Sequence, residues 1–429
     1  MKERIAIIEG IRTPFCKAGG SVAGVDADDL AAIAVKELLI RSNFPVEDID
    51  EMIMGNVSQP VRAANVARVA ALKAGLPVHT PAYSVQRNCA SGMEAVSTAA
   101  NKIHADQAEV IMAAAGESMT NIPFVYGPKM VNFFTKLSRS KTIGQKLKTL
   151  FSFRPSFLKP IIGLEMGLTD PISGMIMGTT AEVLSEEFSI GREEQDQFAL
   201  NSHRKANEAI SAGRLAEEIV PIPSAPKYDQ ILLNDDGPRA DQTIEALQKL
   251  KPYFDRAAGS VTVGNACQIT DGAGALLLMK ESTAKERGLK PLGFVREHCY
   301  AGLECERMGL GPVYATSKLM DKTGLKVSDF NLIEINEAFA VQVIANERAF
   351  ASQKFAQEYL NKDQALGEIN PNILNVNGGA IALGHPVGAT GIRIILTCLK
   401  ELIRRKENLG LATLCIGGGQ GAAFALEVE

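Results

Sequence analysis

The chain has 429 residues and lacks any run of about 18 consecutive apolar residues, so no membrane-crossing helix is expected. Its first residues, "MKERIAIIEGIRTPF", carry charge at once and then a short strand-type apolar run, too short for a secretory signal. Histidine is scarce, with five in all, and the seven cysteines fall at no metal-ligand spacing. An odd, dispersed cysteine count argues against a disulfide framework and for reduced thiols in a cytoplasm. No low-complexity tract is present. A formal net charge of −4 is too mild, and of the wrong sign, for a nucleic-acid binder as a whole. One absence is local: no Asp or Glu occurs from Asn121 to Leu164. That span holds Lys129, Lys136, Arg139, Lys141, Lys146, Lys148, Arg154 and Lys159, interleaved with Phe133, Phe134, Leu137, Ile143, Leu147, Leu150, Phe151, Phe153, Phe157 and Leu158. Basic and apolar together suit nucleic acid, a membrane surface or an anionic substrate.

What is present is ordinary for a globular protein: 46% hydrophobic and 22% charged residues, in a chain long enough for two or three domains. "RIAIIEG" and "EVIMAAAGES" read as buried strands, and "DADDLAAIAVKELLIRS" and "CASGMEAVSTAANKIHA" as helices. Their alternation predicts an α/β fold with a parallel or mixed sheet. Residues 121–254 break the pattern and read as an inserted lid between 1–120 and 255–288, with 289–429 forming a further α/β unit. "TDGAGALLLMKE" (270–281) echoes "GQGAAFALEVE" (419–429), which suggests two tandem halves.

Four small-residue stretches draw chemical interest. In "SVQRNCASGMEAV", Cys89 precedes a helix whose apolar face is Met93, Val96, Ala100 and Ile103. A helix N-terminus favours a thiolate. Taken alone, such a cysteine is more simply a small buried residue in a packed turn. In "NVNGGAIALGHPVGATGIRI", His385 lies in a loop with five glycines, off any apolar helix face, where it could serve a thiolate. In "CIGGGQGAA", Cys415 precedes three glycines whose bare backbone can aim N–H groups at a substrate oxygen. The stretch has neither the Lys-Ser/Thr of a phosphate loop nor a GxGxxG context. In "EINEAFAVQ", Asn336 and Glu337 interrupt an apolar run, as a structural network or as part of a site.

Together with "RTPFCKAGG" (12–20) and "GNACQITDGAGA" (264–275), these motifs occur in an order that closely resembles the thiolase family. The resemblance implies a thiolase fold: two similar βαβαβαββ halves in a five-layered α-β-α-β-α arrangement, with an inserted lid domain. It implies acyl transfer at acyl-CoA thioesters with coenzyme A as substrate and no permanently bound cofactor or metal. By match, Cys89 is the acylated nucleophile, His385 activates it and stabilises the oxyanion, and Cys415 is the acid/base for the α-proton. Asn336 matches the position that holds a water in one oxyanion hole, and the N–H groups of Cys89 and Gly417 form the other. Ile176, Met177, Cys267 and Phe339 match the substrate-binding surface. A related synthase family uses Cys with two histidines, whereas here Cys415 takes the second acid/base place.

Thiolases specialised for acetoacetyl-CoA carry a His where this chain has Ile176, in "GMIMGTTAE". An apolar residue there implies longer acyl chains, hence a degradative 3-ketoacyl-CoA thiolase of fatty-acid β-oxidation. The alternatives are a biosynthetic acetyl-CoA C-acetyltransferase and a non-catalytic acyl-CoA-binding scaffold. The segment 129–162 resembles an insertion in the β-subunit of trifunctional fatty-acid oxidation complexes, although Asn336 matches the wider family where that subgroup usually has His. A homodimer or homotetramer is implied, with a hydratase/dehydrogenase subunit as a further partner. Thiolase chemistry has no use for nucleic acid, and eight cations exceed what one coenzyme needs. Segment 129–162 is therefore expected to dock at the inner membrane surface of a cytoplasmic protein, Leu137, Ile143, Leu147, Leu150 and Phe151 sharing one helical face. Packing on a partner subunit is the competing expectation.

Overall fold

The computed structural model describes residues 3–429. The first half runs β1 (Ile5–Arg12), α1 (Ala27–Ser42), β2 (Glu51–Gly55), α2 (Val66–Ala74), β3 (Ala82–Val85), α3 (Ser91–His104) and β4 (Val110–Ser118). The chain then leaves the sheet through α4 (Pro128–Arg139), α5 (Ile143–Phe151), α6 (Met177–Glu187) and α7 (Arg192–Ser211), and returns as β5 (Thr270–Lys280). The second half follows as β6 (Gly293–Gly302), α8 (Gly311–Thr323), β7 (Leu332–Ile335), α9 (Ala340–Ala351), α10 (Thr390–Arg405), β8 (Leu409–Ile416) and β9 (Gln420–Glu427). The strands pair in the order β7-β8-β9-β6-β1-β5-β4-β2-β3, parallel at the β7-β8, β4-β2 and β2-β3 contacts and antiparallel elsewhere.

The two echoing sequences are the last strands of their halves, β5 beside β1 and β9 beside β6. The halves join edge to edge where Ile5–Ile7 pair with Gly293–Val295. Five layers result. One apolar cluster places α3 and α10 between the inner faces of both halves, with Met93, Val96, Ile392, Ile395, Leu414 and Phe424 fully buried. A second packs α1 and α2 on the outer face of the first half through Leu30, Val35 and Val66. A third packs α8 and α9 on the outer face of the second half through Val313, Leu319 and Phe350. Helices buried along most of their length in this way belong between two sheets.

The halves differ in their third strand. In the first it is β3; in the second it shrinks to a single bridge, Ile333 to Leu374. Asn375 then turns to φ 44, leaving the extended region. Its side chain replaces the ladder, accepting from Ile335 N–H and donating to Ile335 C=O, each at 2.8 Å.

The basic segment also departs from expectation. It forms two helices, so Leu137 lies on α4 and Ile143, Leu147, Leu150 and Phe151 on α5. The break is local chemistry. Ser140 turns extended, and Thr142 opens a new helix by accepting from Gln145 N–H at 3.2 Å while the Gln145 side chain accepts from Thr142 N–H at 3.3 Å. Phe133 anchors the hairpin among Phe134, Phe153 and Phe157 at ring separations of 5.5–6.3 Å.

Candidate active site

The site forms where the N-termini of α3 and α10 meet. A Cβ on Gly92 would lie 2.9 Å from Gly388 O, and one on Gly391 would lie 2.5 Å from Met93 N. Only glycine permits that approach, which brings the turn before α3, with Cys89, against the turn before α10, with His385. Both helix dipoles point their positive ends at the same volume.

The remaining residues converge on it through backbone contacts. His385 N–H donates to Thr270 Oγ1 at 3.2 Å and to Gln268 O at 3.4 Å, next to Cys267. Cys267 N–H donates to Ala338 O at 3.0 Å, and Ala266 bridges Phe339, so the "GNAC" and "NEAF" stretches are stitched together. Asn336 N–H donates to Thr413 O at 3.0 Å, two residues before Cys415. Met177, at the start of α6 beside Ile176, reaches over Gly417: a Cβ there would lie 3.1 Å from Met177 Sδ. Contacts between their stretches thus draw Cys89, Cys267, Phe339, His385 and Gly417 to one place, with Met177 over Gly417 and Ile176 next to it in the chain.

Burial keeps its titratable groups neutral. The Cys89 thiol is pushed up by burial and pulled back down by hydrogen bonds from the N–H groups of Gly417 and Cys89. Cys267 is raised to about 12, by burial and then by the nearby Cys89 sulfur. Cys415 is raised well above its usual range by burial, with Cys89 and Cys267 adding to the effect. His385 is lowered to about 3, by burial first and then by the Arg393 guanidinium. At neutral pH the pair is therefore thiol and imidazole.

The imidazole is held at one nitrogen. Thr390 Oγ1 donates to Pro386 O at 3.2 Å, and His385 Nδ1 lies 2.6 Å from Thr390 Oγ1. With the Thr390 hydrogen on Pro386 O, Nδ1 is the nitrogen that carries the ring hydrogen, and Nε2 is left with a free lone pair. Nε2 is buried and has no hydrogen-bond partner among the described residues.

The polar pair in "NEAF" divides its work. Glu337 is a satisfied network, accepting from Ser202 Oγ at 2.6 Å, Asn375 Nδ2 at 2.9 Å and Ile381 N–H at 3.3 Å. Asn336 is fully buried, yet neither its Oδ1 nor its Nδ2 has a partner among the described residues. A buried amide left so costs about 1–3 kcal/mol per group unless a water or substrate meets it. Glu337 is thus a structural network, while the Asn336 amide is left open.

Sequence reasoning missed three supports. Thr390 Oγ1 holds His385 Nδ1 at 2.6 Å. Glu117, fully buried at the end of β4, accepts from the N–H groups of Val57 and Ser58 at 2.9 Å each and of Gly388, tying the His385 loop to residues 56–58. Burial raises its pKa to about 7 against those donors. Arg87 stacks 4.1 Å from the centre of the Tyr300 ring, pairs with Glu94 at 2.6 Å and donates to Gln420 Oε1 at 3.2 Å, joining the Cys89 turn to the strand after Cys415. None has a sequence signal beyond proximity to a motif.

Residues 5–282 match the family model described as "Thiolase, N-terminal domain", and residues 289–428 match "Thiolase, C-terminal domain". The chain belongs to the thiolase family. Among its relatives, a 3-ketoacyl-CoA thiolase of Yersinia pestis (strain Pestoides F) is 41% identical over 428 residues, covering 100% of this chain and 97% of the relative. Among solved structures, the acetyl-CoA acetyltransferase of Bacillus anthracis superposes with TM-score 0.86 at 35% identity, covering 99% of each chain. Human mitochondrial 3-ketoacyl-CoA thiolase in complex with CoA superposes with TM-score 0.85 at 33% identity, covering 100% of this thiolase and 98% of the human chain. The two structural neighbours carry different activity names, so thiolase architecture alone does not choose between them.

Proposed function

We propose that this thiolase cleaves 3-ketoacyl-CoA with coenzyme A, releasing acetyl-CoA and a shortened acyl-CoA in fatty-acid β-oxidation. The observation that carries the proposal is the Gly417 peptide, whose N–H faces Cys89 two residues after Cys415. In the proposed reaction Cys89 Sγ attacks the 3-keto carbon, and His385 Nε2 takes the thiol proton. The C2–C3 bond breaks, its electron pair becomes the enolate of acetyl-CoA, and the Cys415 thiol protonates it. The incoming coenzyme A thiol gives its proton to the Cys415 thiolate and attacks the acyl-Cys89 thioester. Cys89 leaves as thiolate and recovers its proton from His385. The Gly417 and Cys89 N–H groups receive one carbonyl oxygen; His385 and a water on Asn336 receive the other. Ile176, Met177, Cys267 and Phe339 line the acyl path, and apolar Ile176 favours longer chains.

The test is thiolysis of 3-ketoacyl-CoA from short to long chain with free coenzyme A. Turnover across the series supports the reading. Activity confined to acetoacetyl-CoA would favour the biosynthetic alternative, and binding without cleavage the scaffold.

We further propose a cytoplasmic homodimer or homotetramer that touches an anionic membrane surface through 129–162. Supporting this, α5 exposes Ile143 (78%), Leu147, Leu150 and Phe151 (82%) beside Lys146 and Lys148, with no acidic residue from Asn121 to Leu164. No helix among the described residues is long and apolar enough to cross a membrane. Each cation near anionic lipid adds about 1 kcal/mol. Deleting residues 133–158 should abolish co-sedimentation with phosphatidylserine-containing vesicles. Unchanged sedimentation would remove the membrane reading and leave a hydratase/dehydrogenase subunit as the partner to seek.

A further inference from the structure

Asn88, immediately before Cys89, sits at φ 43, in the left-handed region. Asparagine enters that region more readily than most residues. Its side chain is also fixed at both ends. Oδ1 accepts from Gln86 Nε2 at 3.2 Å, and Nδ2 donates to Gly417 O at 2.7 Å. Gly417 opens a run of three glycines, of which Gly418 and Gly419 have φ of 89 and 72. Such a turn has no side chains of its own to select one conformation. The Arg87–Gln420 bond holds the far end of the run, at 3.2 Å. At Gly417 itself, the Asn88 amide donates to the carbonyl, one Cα beyond the N–H.

We propose that Asn88 is a positioning residue, whose amide holds the Gly417 carbonyl and, through the single Cα that joins it to the preceding peptide, keeps the Gly417 N–H aimed at Cys89 Sγ and at the oxygen of the bound thioester. The inference rests on the reading of Cys89 as the acylated group. Asn88 would then perform two separable tasks: one through the backbone, holding Cys89 ahead of α3, and one through the donated hydrogen bond.

Two variants separate them. Asn88→Gly keeps the left-handed backbone at no steric cost and removes the donor. Asn88→Asp keeps shape and backbone, removes the donor and sets a carboxylate against Gly417 O. If only the backbone mattered, Asn88→Gly would match the parent enzyme. The clamp predicts a fall in kcat of about tenfold for Asn88→Gly and about a hundredfold or more for Asn88→Asp, with KM changed far less, the scale of a lost or misaimed oxyanion donor. It also predicts that alkylation of Cys89 by iodoacetamide, followed by peptide mass spectrometry, moves to higher pH in both variants. The thiolate loses the Gly417 N–H in each case. A purely structural role would leave that profile in place.

Parental kcat and an unshifted alkylation profile in Asn88→Gly would overturn the clamp. The parent enzyme, incubated with 3-ketoacyl-CoA and mapped for its acyl group, keeps the two claims apart. Acyl on Cys89 with an unchanged Asn88→Gly variant defeats the clamp alone. Acyl on another residue defeats the nucleophile reading and the clamp together.

Discussion

Cys89→Ala is expected to abolish thiolysis, by about a millionfold, the scale seen when a covalent nucleophile is deleted. The reason is chemical. The proposed route needs one group that attacks a ketone carbon and later leaves as a stable anion, and only a thiol serves both steps well. Cys267 and Cys415 both lie close enough to Cys89 for its sulfur to raise them, but burial holds both as thiols more firmly than Cys89, which alone has the Gly417 N–H. No acyl group should remain on the variant after incubation with 3-ketoacyl-CoA without coenzyme A. Mass-spectrometric detection of acyl on Cys267 or Cys415 would reassign the nucleophile. The variant should fold normally, because an alanine fits wherever the smaller part of a cysteine does.

Cys415→Ala is expected to split the reaction. Transfer of an acyl group from acyl-CoA to Cys89 should persist, since Cys89 and His385 carry that step in the proposed route. Exchange of the acetyl-CoA methyl protons with deuterated water should fall by about 10²–10⁴, the usual contribution of a positioned acid/base, and overall cleavage should fall with it. The pH dependence gives a second check. Burial raises the Cys415 thiol, so its base form grows as pH rises, and parental exchange should climb through the neutral range. That limb should vanish in the variant. His385, lowered to about 3, is neutral throughout this range and adds no limb of its own. Proton-exchange rates by NMR measure both effects. Full exchange in the variant would move the acid/base role to another group.

How much of this was legible in the chain depended on how local the cause was. Cys89 at a helix start and His385 among glycines could be read because dipole and flexibility are set by neighbouring residues. The two halves could be read through β5 and β9, whose sequences echo because they occupy equivalent places beside β1 and β6. Asn336 and Glu337 could not be separated. Their difference lies in Ser202 and Asn375, far along the chain, which satisfy one and not the other. The third strand of the second half gave no signal, since one Asn375 side chain does the work of a ladder. The break between α4 and α5 was readable and overlooked: Thr142 and Gln145 have the spacing of a capping box.

The meeting of the two central helices has a consequence for how this catalyst came to be divided. "CASG" (89–92) and "GATG" (388–391) occupy the same turn in the two halves, each hydroxyl bonding four residues back, Ser91 Oγ to Arg87 N–H and Thr390 Oγ1 to Pro386 O. In this alignment Gly388 stands where Cys89 stands, and Gln86 stands where His385 stands. One half holds a thiol and no imidazole at this turn; the other holds the imidazole and no thiol. Neither copy of the turn holds a complete pair, so thiol and imidazole meet only when both halves have closed on the shared central layer. The reactive state is thereby a product of assembly, and a half-folded chain carries no activated cysteine.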